Sequence, residues 1–66
     1  MDDHEFRQWH RYIQTARTER ALFSQYEALH VMPPSLDRTE LLACWAEHWN
    51  ALVGDQVTID DLEPPP

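Results

Sequence analysis

A chain of 66 residues with a net charge of −7 makes one domain with a small core, because folding at this length hides only about 60% of the unfolded surface. Its single cysteine excludes an internal disulfide, and its single glycine excludes a glycine-rich phosphate loop. No apolar run approaches the roughly 18 residues of a membrane span, and the opening MDDHE is acidic where a signal peptide is basic. A cytoplasmic protein without membrane contact is therefore expected.

The charge is unevenly placed. Asp2, Asp3 and Glu5 lie at one end and Asp55, Asp60, Asp61 and Glu63 at the other, while residues 6–54 hold five Arg against five acids. Affinity for nucleic acid needs clustered cations facing phosphates, so direct nucleic-acid binding is not expected.

From Phe6 to Leu29 there is neither Gly nor Pro. Phe6, Trp9, Ile13, Ala16 and Phe23 recur at intervals that suit a helix, with Tyr12, Tyr26 and Leu29 one flank over. Together they cover roughly 160° of a helical surface, a wide amphipathic face. Asp2 or Asp3 can cap the start. The weak stretch is Gln14–Thr18, where two β-branched Thr lower helix propensity. One helix over about 3–29 is the preferred reading, with a bend near Thr15–Thr18 as the alternative. Arg20 interrupts the stripe, either laying its methylenes over apolar surface or taking part in a specific pairing across an interface.

HVMPPS, residues 30–35, ends this helix, because Pro33 and Pro34 lack amide donors and Pro33 pushes Met32 out of the helical region. Met32 is expected to fold back over the apolar layer. The next segment, LDRTELLACWAEHWNALVG, reads as a helix over about 37–53. Asp37 and Glu40 have capping-box spacing, Leu36 and Leu41 have hydrophobic-staple spacing, and Gly54 supplies a left-handed stop. Leu41, Leu42, Cys44, Trp45, His48, Trp49, Leu52 and Val53 span about half of its circumference, wider than the roughly 100° one facing helix covers. Residues 1–54 are thus read as an antiparallel helical hairpin of an all-α domain. The excess apolar surface points to a homodimer, a four-helix bundle of two hairpins. Residues 55–66 read as an irregular acidic tail, with Val57 and Ile59 alternating with polar residues before a triple-proline end.

Two patterns bear on chemistry. Cys44 and His48, four apart on one helix face, make half of a metal site, but no third ligand stands at a recognised spacing. A buried thiol beside a boundary imidazole is the simpler reading, and no metal or other cofactor is expected. The same pair lacks the orienting group, oxyanion donors and concave pocket that nucleophilic catalysis requires, so no enzymatic activity is expected.

The stronger signal is aromatic. Trp9, Trp45 and Trp49 are many for this length. Trp is both core filler and interface anchor, and Trp45 and Trp49, one turn apart, are not both coverable by one helix. The tail mixes Val57, Ile59 and Leu62 with Asp60, Asp61 and Glu63, a pattern suited to a segment that orders on binding. The sequence thus points to a non-enzymatic adaptor, assembly factor or inhibitor that contacts an unidentified protein through Trp9, Arg20, Trp45, Trp49 and the tail. An acidic decoy of nucleic acid, blocking a DNA- or RNA-binding protein, is the alternative.

Overall fold

The computed structural model describes residues 1–63. These form three packed helices, α1 (Asp3–Thr15), α2 (Glu19–His30) and α3 (Leu36–Val53), followed by one short turn of helix, α4 (Ile59–Leu62), and no strand is present among the described residues. None of the helices is long and apolar enough to cross a membrane. The triple-proline end of the expected tail lies outside the described residues.

The expected single helix over 3–29 is two helices. Ala16 is extended (φ −65°, ψ 131°), and Thr18, also extended, caps α2 by accepting a hydrogen bond from the Ala21 amide at 3.1 Å. The physical reason lies in the stretch read as weak: Thr offers the backbone a side-chain partner in place of the next helical bond, and so favours caps over helix interiors. Asp2 caps α1, its carboxylate accepting the Glu5 amide at 2.7 Å.

The break changes the topology. Ala16, at the end of α1, lies at His48 in the last half of α3, and Met1 and Glu5, at its start, share a depression with Ser35 beside the α3 N-terminus. Helix α1 therefore runs parallel to α3. Phe23 meets Trp49 and Tyr26 meets Trp45, so α2 runs antiparallel to α3. In place of a two-helix hairpin, the chain is an up-down-up unit with α3 contacted by every other helix.

The core is Ile13, Ala16, Leu22, Leu29, Leu41, Leu42, Trp45, Ala46 and Trp49. On α3 these positions recur every three or four residues and cover roughly 140° at 100° per residue, shared among α1, α2 and the chain after Gly54. The wide apolar arc that suggested a second copy is thus largely covered within one chain. Leu52 and Val53, at the end of that arc, stay partly exposed. The unit is thin, with Cα extents of 30 × 29 × 15 Å. Its accessible surface of 4872 Å² exceeds the roughly 4,400 Å² typical of a monomer of this mass, so specific polar and aromatic contacts supplement a limited core.

Two details at the ends of α3 follow the same logic. Its cap is Ser35, not Asp37: the Ser35 hydroxyl accepts the Arg38 amide at 3.1 Å, and the Ser35 carbonyl accepts the Thr39 amide at 3.1 Å. Two prolines hold the preceding chain extended, so Ser35 is the first residue able to cap. Asp37 then falls within the first turn, where its charge still favours the helix dipole. The Leu36–Leu41 staple is not formed, since Leu36 is 85% exposed. At the other end Gly54 is left-handed (φ 80°, ψ 28°), and its amide donates to the Asn50 carbonyl at 2.9 Å, as the sequence indicated.

The cap assignment separates two neighbouring substitutions. Ser35→Ala is expected to destabilise the protein by about 1 kcal/mol. Asp37→Ala is expected to lose only about 0.5 kcal/mol through the helix dipole. Urea denaturation of both variants provides the check.

Candidate functional site

Trp45 is buried against the other helices, and its indole N–H donates to the Leu22 carbonyl at 2.8 Å. Trp49 stacks on it with ring centroids 5.3 Å apart and planes 12° from parallel. Tyr26 lies over Trp45 at 5.1 Å, and Phe23 meets Trp49 edge-on at 5.1 Å. The result is an aromatic ladder between α2 and α3, with the polar atom of each indole directed to a partner: Leu22 for Trp45, and Asp55 at 3.4 Å for Trp49. Such pairs contribute about 0.5–1.5 kcal/mol each beyond their area. Two of the three tryptophans expected to serve recognition thus form the core, and Phe23, half exposed, closes one end of the ladder.

Trp9 is placed differently. Its ring is half-buried on one flank of α1 and lies 5.7 Å from the ring of Tyr12, which is 53% exposed. With Glu5 and Gln8 they line a shallow groove of about 300 Å³. Arg20 is exposed on α2.

The tail residues fold back along α3. Asn50 holds the turn with two bonds, its amide donating to the Val57 carbonyl at 2.8 Å while its carbonyl oxygen accepts the Val57 amide at 2.9 Å. Asp61 accepts both the backbone amide and the hydroxyl of Thr58, at 3.0 and 3.1 Å, and so starts α4. Val57, Ile59 and Leu62 pack on the core, whereas Asp60 is exposed. Glu63 then reaches the start of α3, 3.2 Å from Arg38 Nη2, and accepts the Thr39 hydroxyl at 2.7 Å. Arg38 is 8% exposed and also donates to the Met32 carbonyl at 2.7 Å. A buried guanidinium needs such a partner, because an uncompensated buried charge costs several kcal/mol. Residues 55–63 are thus a strap on α3, where an irregular tail was expected.

Cys44 and His48 do not converge on a metal site. The His48 Nε2 lies on the Ala16 carbonyl, and since a carbonyl only accepts, that nitrogen carries a proton and offers no lone pair. No group of three metal-ligating side chains exists among the described residues. Burial pushes the Cys44 thiol above its ordinary range, and the neighbouring Glu47 carboxylate pushes it further the same way.

Three polar residues that organise the molecule, Gln25, Arg38 and Asn50, carry no sign of it in the sequence, and Glu63 stands there only as a charge of the tail. Gln25, 1% exposed, donates to the Tyr12 carbonyl at 3.0 Å. Nothing in their spacing marks them, since each partner lies at least six residues away. Comparison with protein-family models, with curated proteins and with solved structures gives no match.

Two measurements follow. His48→Ala is expected to lower stability by about 1–3 kcal/mol, the cost of leaving a buried carbonyl unpaired, while EDTA leaves the wild-type melting temperature unchanged. For Cys44, only the thiolate is alkylated, so iodoacetamide at pH 8 should react more slowly with the folded protein than with the unfolded chain. The sign for stability is the same: a thiol raised in the folded state contributes stability in full below its unfolded pKa and loses it as pH rises through the folded value. An alkaline urea series should show that loss, reduced in Cys44→Ala.

Proposed function

We propose that this protein is a small non-enzymatic interaction module whose contact surface is the Trp9–Tyr12 flank of α1. The observation that carries the reading is the placement of the tryptophans. Trp45 and Trp49 hold the molecule together, whereas Trp9 and Tyr12 form a tilted pair, their planes 56° apart, at the surface beside Glu5 and Gln8. Interface anchors are enriched in Trp and Tyr because they bring large area with few rotamers to fix. A ring held at one edge by the core and bare at the other is already ordered before a partner arrives, which lowers the entropy lost on binding. Glu5 and Gln8, which line the same groove, supply a polar rim.

The acidic-decoy reading draws less support. A decoy needs carboxylates arrayed and free, but Asp61 is engaged in starting α4 and Glu63 in pairing with Arg38. Trp49→Ala is also a poor probe of binding, because it removes a core residue and is expected to destabilise by about 3–5 kcal/mol. Tyr12→Ala is the clean probe.

The test is capture of partners from the native host at low and high salt, with affinity for the captured protein then measured for wild type and Tyr12→Ala. The expected result is a salt-tolerant partner whose affinity falls by about 2 kcal/mol, roughly thirtyfold, in Tyr12→Ala, with the thermal melt unchanged. A DNA- or RNA-binding protein released by moderate salt and bound equally well by Tyr12→Ala would favour the decoy instead.

A further inference from the structure

The strap is held by contacts that do not depend on its covalent link to α3. Asn50 grips the backbone of Val57, Glu63 pairs with Arg38 and Thr39, and Val57, Ile59 and Leu62 lie on the core. All of these would form equally well with an identical segment arriving from another molecule. The link itself is short and bare. Gly54 is left-handed, no heavy atom stands within 4 Å of where its Cβ would be, and Asp55 and Gln56 are exposed.

The receiving site is costly to leave empty. Arg38 is 92% buried, its Nε has no hydrogen-bond partner, and Glu63 supplies the only ion pair among the described residues. Releasing the strap removes the carboxylate paired with Arg38 and unpairs both ends of the Asn50 amide. An open monomer is therefore disfavoured, whereas refilling the site with the same segment restores every contact. Exchange of an identical element is a low-cost route to a dimer, and a short hinge that straightens favours it, because the straightened chain points the strap away from its own body.

We propose that residues 55–63 exchange between two copies of this chain, so that Glu63 of one protomer pairs with the partner's Arg38. The hinge is Gly54, which passes from left-handed to extended. The partner copy thus completes the buried ion pair, and the dimer forms through α3 and the strap, leaving the α1 flank free. Each copy carries a net charge of −7, so their repulsion opposes exchange and salt relieves it, while the buried pair is screened far less.

The substitution Gly54→Ala tests the hinge directly. A left-handed conformation is strained for Ala and an extended one is not, and open space at the position rules out a clash. The expected result is a dimer about tenfold or more tighter than that of wild type, by sedimentation equilibrium from micromolar to millimolar concentration, and tighter again at higher salt. In a mixture of isotope-labelled and unlabelled protein, intermolecular NOEs should connect Leu62 and Glu63 to Thr39. A Gly54→Ala protein that stays monomeric at millimolar concentration overturns the proposal, as does a dimer whose intermolecular NOEs run through Trp9 and Tyr12. The wild type is an independent arm that does not depend on the variant folding: absence of strap-to-α3 intermolecular NOEs at millimolar concentration overturns the proposal on its own.

Discussion

Ending a helix inside a folded chain leaves carbonyls without intrahelical partners, and the way this protein satisfies them at Ala16 determines its architecture. The Ile13 carbonyl takes the Ala16 amide at 3.2 Å, the Tyr12 carbonyl takes the Gln25 side-chain amide at 3.0 Å, and the Ala16 carbonyl takes the His48 ring N–H. One of these donors comes from α2 and another from α3. The end of α1 is therefore capped by the two helices it must pack against, which makes the break and the packing one event. Without His48 the Ala16 carbonyl would be buried unpaired, at roughly 1–3 kcal/mol, whereas the Tyr12 carbonyl also accepts the Thr15 hydroxyl at 3.0 Å.

Once α1 turns back, α3 becomes the common surface. Its Trp45 and Trp49 stack one turn apart and receive Tyr26 and Phe23 from α2, while the strap covers the opposite flank as far as Arg38. A thin unit with a core of nine residues has little area to spare, and no disulfide among the described residues to supplement it. The ladder and the strap do that work with specific contacts, each aromatic pair contributing about 0.5–1.5 kcal/mol. The same division of labour separates structure from recognition. Aromatic rings that α3 requires are not available to a partner, and those left over lie on α1.

Local signals in the sequence were legible where the physics is local. The stop at Gly54, the exclusion of helix by Pro33 and Pro34, and the helical character of α2 and α3 all depend on a residue and its immediate neighbours. Capping-box spacing points to Asp37, but Ser35 caps equally well by type, and the extended backbone imposed by the prolines makes it the cap. The break at Ala16–Thr18 was visible as low propensity, yet propensity alone leaves a bend and a full reversal equally open. What selects the reversal is a pair of hydrogen bonds spanning 13 and 32 residues. The buried arc of α3 is narrower than its apolar pattern suggests, since Leu52 and Val53 stay exposed, and α1, α2 and the strap share it in a way that the spacing on α3 alone does not reveal. Arg38 and Glu63, 25 positions apart, carried no signal, and the strap was read as free tail for that reason.

The central claim is that the chain reverses at Ala16–Thr18 and that His48 closes the reversal. Backbone and side-chain NMR of the protein in solution tests it most directly. The account predicts extended Cα and Cβ shifts at Ala16 and Thr18, helical shifts on either side, and NOEs from the His48 ring to Ala16 and Arg17. Uninterrupted helical shifts from Asp3 to His30, with no contact between His48 and residues 16–17, would contradict it.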